Sequence, residues 1–120
     1  MKKTEGEIMD NKELKRKLEA GNFVRNNGKV LRTINILRHK YNELLSVECV
    51  LKDEGIEQWE YLDCINFLSM EGYIRMRRIS DQEEIEELSQ DNDYRKLEAK
   101  LTPKGIRLLA GGIEDNMIEV

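Results

Sequence analysis

The pattern of apolar and polar positions predicts a helix followed by a strand over residues 56–79. From residue 58 to residue 70 the apolar side chains recur at the 3.6-residue spacing of one helix face. These apolar positions are Tyr61, Leu62, Ile65 and Leu68. Gly72 can take the left-handed conformation that ends a helix. Residues 73–79 then change to a period of two, which is typical of a half-buried strand.

A short helix is predicted near the N-terminus, between a cap at Asp10 and a break at Gly21. Leu14 and Leu18 are its apolar contacts, four residues apart. The sequence Arg-Asn-Asn-Gly at 25–28 is typical of a turn. Because so short and polar a helix is unstable alone in water, we expect it to dock on the body of the domain or on a second copy.

Helical spacing over residues 29–45 predicts the first long helix. Its apolar positions are Val30, Ile34, Leu37, Tyr41 and Leu44. A shorter helix is expected from Val47 to about Asp53, with Ser46 as its N-cap. A glycine-containing turn then leads into the helix over residues 58–70. The two helices and their turn predict a helix-turn-helix arrangement.

The last third of the chain predicts a second strand and a final helix. The capping-box pattern at 80–83 predicts a short helix that ends near Ser89. Residues 94–101 alternate again, and we expect them to pair with residues 73–79 as an antiparallel hairpin with a long acidic tip. Thr102 and the proline after it are typical of a helix start.

The 120 residues are enough for one domain, and the single proline argues against an all-β chain. We expect an α+β fold that is mainly α with a small β-hairpin. Residues 1–28 are predicted to form a tail and a short helix, residues 29–112 the domain, and residues 113–120 an apolar tail that packs on the domain or a partner. The sequence shows neither a membrane-spanning apolar run nor a signal peptide, so we expect a cytoplasmic protein.

Charge is distributed unevenly along the chain. Residues 1–41 hold eleven Lys and Arg against five Asp and Glu, a net charge of +6, and residues 42–120 hold nine against nineteen, a net charge of −10. A basic first third is suited to nucleic acid, or to an acidic patch of its own chain or of another subunit.

The sequence offers little catalytic or metal-binding chemistry. Cys49 and Cys64 lack the spacing of metal ligands and are predicted to be reduced thiols. His39, the single histidine, has no nucleophile or acid at local spacing and is predicted to be a solvated surface residue. No phosphate-binding loop or nucleophile elbow occurs. We expect no enzyme activity, no cofactor, no metal and no small-molecule ligand.

The predicted order α-α-α-β-β-α, with "FLSMEGYI" and "LTPKGIRLLAGG", resembles the winged helix-turn-helix superfamily, including MarR-type and PadR-type regulators. The ending "LLAGGIEDNMI" is similar to that of small prophage-type winged-helix proteins. The resemblance covers about residues 29–112. It implies a recognition helix at 58–70, a wing at 73–101 and a DNA-binding transcriptional regulator, here with an extra N-terminal helix and a long acidic wing tip.

DNA binding requires cations for the phosphates and side chains that read base edges. Asn66 is a candidate to read adenine. The candidate phosphate contacts lie on the outer face of the predicted hairpin, at Arg75, Arg77, Lys96 and Lys100. Against this, no lysine or arginine occurs between Lys52 and Arg75. The predicted recognition helix therefore has no positive charge of its own.

The same helix also predicts a protein-binding surface. Trp59, Phe67 and Met70 form an apolar stripe on the face opposite the predicted core. Aromatic and methionine side chains are favoured at the centres of protein interfaces. Its cover is expected to be the N-terminal helix, through Leu14, Leu18 and Phe23, or a second subunit, or a different protein. Two functions therefore stay open: a DNA-binding regulator, and an interaction adaptor that forms a homodimer or binds another protein, such as a prophage partner.

Overall fold

The computed structural model describes residues 11–120. In this part of the chain, four α-helices pack with a four-stranded antiparallel sheet, which confirms the predicted α+β class. The elements are α1 (Asn11–Asn35), β1 (Asn42–Glu43), α2 (Leu44–Lys52), α3 (Gln58–Met70), β2 (Ile74–Arg78), β3 (Glu84–Ile85), β4 (Leu97–Leu101) and α4 (Pro103–Leu109), with a 3₁₀ turn at Tyr94–Lys96. The strand order in the sheet is β1-β4-β2-β3. No helix within residues 11–120 is both long and apolar enough to cross a membrane.

Helix α1 runs without interruption through both predicted breaks. The short N-terminal helix that ends at Gly21 and the turn at 25–28 were wrong predictions, since one helix of 25 residues covers them. The predicted cap at Asp10 lies outside the described residues. Position 28, where the prediction divides the N-terminal segment from the domain, lies inside this helix.

The C-terminal segment explains why asparagine and glycine occur inside α1. Asn27 is fully buried and donates from Nδ2 to the carbonyl oxygen of Met117 at 3.0 Å. The backbone N–H of Glu119 donates to the carbonyl oxygen of Val24 at 3.1 Å. Ile118, between these two contacts, is only 4% exposed. Of the two alternatives predicted for the tail, the domain or a partner, the tail packs on the domain, and the turn-like residues of α1 form its docking surface.

The chain leaves the helical conformation earlier than predicted after α1. The prediction of a helix to residue 45 was wrong, because α1 ends at Asn35. The Asn42 side chain donates from Nδ2 to the carbonyl oxygens of Leu37 and Lys40, at 3.2 and 3.3 Å. Residues 42 and 43 then pair with β4, which requires extended backbone. Helix α2 therefore begins at residue 44, and Ser46 is not its N-cap.

The predicted unit of helix, glycine and strand is confirmed. Helix α3 has the predicted bounds, and Gly72 has a φ of +83°, a conformation that favours glycine. Strand β2 pairs with β4 from Ile74 opposite Leu101 to Arg78 opposite Leu97, as the hairpin prediction required. The inner face of this sheet packs on α1, α2 and α3 to form the core.

The helix predicted from Ser80 to Ser89 was wrong. Residues 84 and 85 instead form β3, which pairs with the outer edge of β2. The Asp81 carboxylate accepts from the Arg78 guanidinium and, at 3.0 Å, from the backbone N–H of Glu83. Residues 80–83 therefore form a tight turn and not a helix start, because the Asp81 carboxylate binds Arg78 of the preceding strand.

The final helix follows the prediction closely. Thr102 caps α4 by accepting from the N–H of Gly105 at 3.1 Å, with Pro103 at the first helical position. A Cβ at residue 105 would overlap the carbonyl of Tyr73, so glycine lets α4 approach the start of the hairpin.

Candidate functional site on helix α3

Helix α3 has one face in the core and a narrow exposed stripe on the opposite side. Tyr61, Ile65 and Leu68 are fully buried. On the opposite side Trp59 is 57% exposed and Met70 is 56% exposed, with the exposed carboxylate of Asp63 between them. We call Trp59, Asp63 and Met70 the α3 stripe. It exposes two large apolar side chains on a helix that already contributes to the core.

One flank of the α3 stripe is covered by α1. The rings of Phe23 and Phe67 meet edge to face, with centroids 5.2 Å apart and an interplanar angle of 72°. A cleft of about 190 Å³ lies beside this pair. It is lined by Glu19, Phe23, Asn26, Trp59, Glu60 and Asp63. Phe67, predicted as part of an interface, is therefore half-buried within its own chain, whereas Trp59 remains accessible.

The other flank is covered by the acidic segment of residues 86–93, which we call the acidic strap. The Ser69 hydroxyl donates to the carbonyl oxygen of Glu86 at 2.7 Å. The N–H of Leu88 donates to Asn66 Oδ1 at 2.8 Å. This segment, predicted as the long acidic tip of the hairpin, folds back across α3. The Asn66 carbonyl, a candidate for reading adenine, is engaged in this intramolecular contact.

The electrostatic character of α3 is acidic. Glu57 and Glu60 form a capping box, in which Glu60 Oε1 accepts from the N–H of Glu57 at 2.9 Å. Carboxylates at a helix N-terminus are favoured by the helix dipole. Together with Asp63 and the acidic strap, they place negative charge along the α3 stripe. Such a surface repels phosphates and favours a cationic partner.

The predicted phosphate contacts lie on the outer face of the sheet, where acidic and aromatic groups accompany them. Arg77 Nε lies 2.6 Å from Glu98 Oε2, and its guanidinium lies 3.6 Å from the centre of the Tyr41 ring. Arg75 lies 3.6 Å from Glu84 in a more exposed pair. Lys100 Nζ lies 5.3 Å from the same Tyr41 ring. This face therefore neutralises much of its own charge. The fourth candidate, Lys96, is exposed at the end of the 3₁₀ turn, directly before β4.

The first turns of α1 are exposed, and Glu19 of these turns lines the cleft beside Trp59. Every residue from 11 to 20 is exposed, including Leu14 at 44% and Leu18 at 60%. We call residues 11–20 the α1 arm. Of the three side chains predicted to cover the stripe, Phe23 packs on Phe67, whereas Leu14 and Leu18 remain exposed.

A buried polar network that the sequence did not reveal holds the 3₁₀ turn against α2 and α3. The Tyr94 hydroxyl donates to Glu48 Oε1 at 2.8 Å and accepts from Gln58 Nε2 at 2.8 Å. The Tyr61 hydroxyl donates to the carbonyl oxygen of Leu44 at 2.6 Å, and burial raises the pKa of Tyr61 above its ordinary value. The network fixes one end of the acidic strap. No local sequence pattern signals it, since Glu48 and Tyr94 are 46 residues apart.

The thiols differ in their surroundings. Burial raises the pKa of the Cys64 thiol to about 12, so this thiol is protonated and a poor nucleophile at neutral pH. Cys49 is exposed on α2. Within residues 11–120 no group of three or more His, Cys, Asp or Glu side chains is placed to hold a metal ion.

Comparison with known proteins gives no relative for this chain. No protein-family model, no curated protein and no solved structure matches it.

Proposed function

We propose that this chain is a non-enzymatic protein of winged-helix type that binds another protein through the α3 stripe. The winged-helix assignment is supported by the order of the elements: α1, β1, a helix-turn-helix of α2 and α3, and a β2–β4 hairpin. It is further supported by the pairing of β1 with β4 and of β4 with β2. The fold alone does not specify a ligand, so the function is argued from the surface of α3.

The observation that carries the proposal is the exposure of Trp59 and Met70 beside the cleft at Phe23. A tryptophan next to a cleft and a methionine on one rigid helix are typical of the centre of a protein interface. Asp63 between them and the acidic strap beside them favour a partner with basic residues around an apolar centre. The covered flanks limit access to this narrow stripe.

The test compares Trp59→Ala and Met70→Ser with a control on another helix, Leu45→Ser. Leu45 is a 40% exposed leucine of α2, so the control removes a similar apolar side chain outside the α3 stripe. Proteins that bind the immobilised wild-type chain are first ranked by how much less of each is retained when a stripe variant is immobilised instead. A retained protein is then purified, and its binding is measured through the emission of Trp59, the single tryptophan.

The proposal expects binding that shifts Trp59 emission and weakens by about tenfold or more with Met70→Ser, as for an interfacial anchor. The control should leave the affinity unchanged. Equal retention by the wild-type chain and both stripe variants contradicts the proposal.

DNA binding in transcriptional regulation is the second candidate, favoured by the exposed cations of the α1 arm. Lys15, Arg16 and Lys17 are consecutive and exposed. With Arg75 and Lys100 they would contact phosphates, while α3 would contribute little. The test is fluorescence anisotropy with a labelled duplex over a range of salt concentrations, using Lys15→Ala with Lys17→Ala and, separately, Arg75→Ala with Lys100→Ala.

DNA binding predicts an affinity that falls with salt and a smaller salt slope in the variants. Arg77 is left in place because its pairing with Glu98 also contributes to the sheet. Absence of binding at low salt rejects this candidate.

A further inference from the structure

The two leucines of the α1 arm face away from α3 of their own chain. Phe23 marks the side of α1 that packs on α3. Leu14 is nine residues before Phe23, which at about 100° per residue places it on the opposite side of the helix. Because α1 is continuous to residue 35, the arm cannot turn back to bring these leucines onto Trp59. Within residues 11–120 nothing covers these two leucines, which leaves them accessible to a second chain.

The arm and the α3 stripe are complementary in charge and apolar character. Lys15 and Lys17 each lie next to one of the leucines in sequence and flank them on the helix surface. The arm is thus an apolar pair between cations. The stripe is an apolar pair, Trp59 and Met70, with Asp63 between them. Such complementarity of charge around apolar groups favours specific association.

The lengths of the two surfaces also agree. At 1.5 Å per residue the ten residues of the arm span about 15 Å, and the twelve residues from Trp59 to Met70 span about 18 Å. An amphipathic helix laid along an apolar surface is a recurring mode of recognition. By contrast, pairing the arms leucine to leucine would bring their lysines together, which is unfavourable.

We propose that the α1 arm of a second copy of this chain docks on the α3 stripe, and that the two copies exchange arms about a two-fold axis. Leu14 and Leu18 of one copy pack against Trp59 and Met70 of the other, with the lysines directed to Asp63. Each copy contributes one arm and one stripe, so the contact closes and occurs twice. The inference rests on the proposed function and names its partner.

The test is sedimentation equilibrium of the full chain, combined with Trp59 emission, over a wide range of protein concentration. The apolar variant is Leu14→Ser with Leu18→Ser. The arm reversal is Lys15→Glu with Lys17→Glu. The stripe reversal is Asp63→Lys with Glu71→Lys, where Glu71 is the exposed residue that directly follows Met70. A fourth chain carries both reversals, and Leu45→Ser on α2 is the control. All of these positions are exposed, so the fold is expected to be retained, and circular dichroism checks this.

The expected result is a reversible dimer in the wild-type chain and the control, with a blue shift of Trp59 emission as the dimer forms. The apolar variant and each single reversal should weaken association by about tenfold or more. Combining both reversals in one chain should restore most of it, because opposite charges face each other again.

Three results overturn the inference: a monomer at all concentrations, a dimer that none of the variants weakens, or single reversals that the combined chain does not rescue. If the chain is a monomer but binds a different protein, and Met70→Ser weakens that binding, the proposed function still holds. If neither self-association nor partner binding responds to the stripe variants, both proposals fail.

Discussion

The carbonyl oxygen of Glu119 occupies the space in which a Cβ of residue 28 would lie. The guanidinium of Arg32, one turn further along α1, donates from Nη1 to the same oxygen at 3.1 Å. Gly28 is therefore present in the middle of a helix, where glycine is unfavourable, because the C-terminal segment crosses α1 at this point. The tail is part of the folded domain through this contact.

Gly28→Ala is expected to destabilise the protein by about 1–3 kcal/mol, since the new Cβ displaces the tail backbone. The loss should exceed the gain in helix propensity, which is about 1 kcal/mol. Gly21→Ala is the matched control in the same helix, where the nearest atom to a new Cβ is the end of the Arg25 side chain, at 3.8 Å. The control should gain up to about 1 kcal/mol. Urea unfolding measures both, and equal stability of the two variants would contradict the proposed role of Gly28.

Asn66→Ala should release the acidic strap from α3. The N–H of Leu88 loses its acceptor, and we expect a cost of about 1 kcal/mol together with faster hydrogen exchange at that amide. Gln58→Ala is a useful comparison, because it removes a donor to Tyr94 at the other end of the strap. Amide exchange followed by NMR distinguishes the two sites. Unchanged protection of Leu88 in Asn66→Ala would show that this bond does not hold the strap.

Tyr94→Phe should destabilise the protein by about 1–3 kcal/mol, since it leaves the buried Glu48 carboxylate without the hydroxyl that donates to it. Glu48 is only 8% exposed, so water replaces that donor poorly. Glu48→Gln added to Tyr94→Phe removes the unpaired charge and should recover part of the loss. The free energies of unfolding of the two single variants and the double variant form a cycle. Strictly additive losses would contradict the coupling.

The elements that could be predicted from sequence are those specified by neighbouring residues. Helix α3, the left-handed Gly72 and the cap at Thr102 each depend on residues within a few positions, so periodicity and turn chemistry suffice. The exposed positions Trp59 and Met70 also followed from the helical spacing, once the opposite face was assigned to the core.

The elements that could not be predicted depend on distant partners. The turn-like sequence at 25–28 remains helical because the tail, some ninety residues later, packs on Asn27 and Gly28. Residues 42 and 43 are extended because they pair with β4. The acidic strap crosses α3 because Asn66 and Ser69 hold it there. In each case tertiary contacts override local preference, and a single sequence does not show which distant residues meet.

The hydrogen bond from the Tyr73 hydroxyl to Asp115 Oδ2, 2.5 Å long, predicts a stability that depends on pH at both ends of the range. This bond lowers the pKa of the Asp115 carboxyl, and burial followed by the same bond raises the pKa of Tyr73 to about 12. In the unfolded chain the ordinary pKa values of the two groups are about 3.9 for Asp and about 10 for Tyr. The contribution of Asp115 is therefore complete above about pH 4 and is lost as pH falls through its lower folded pKa. That of Tyr73 is complete below about pH 10 and is lost as pH rises towards 12.

Tyr73→Phe should consequently lower the free energy of unfolding by about 1–3 kcal/mol near neutral pH, the range for a hydrogen bond to a charged group. The gap between the wild-type chain and this variant should narrow below about pH 4 and again above about pH 10, following the two titrations. Asp115→Asn is the matched control. This variant lacks the carboxyl, so the difference between its free energy of unfolding and that of the wild-type chain should narrow below about pH 4. Both proteins keep the buried Tyr73, so both should lose most of the same stability above about pH 10. Urea unfolding at a series of pH values, followed by Trp59 emission, measures these gaps. A gap for Tyr73→Phe that stays constant from acid to alkaline pH would show that this bond does not link the tail to the hairpin in solution.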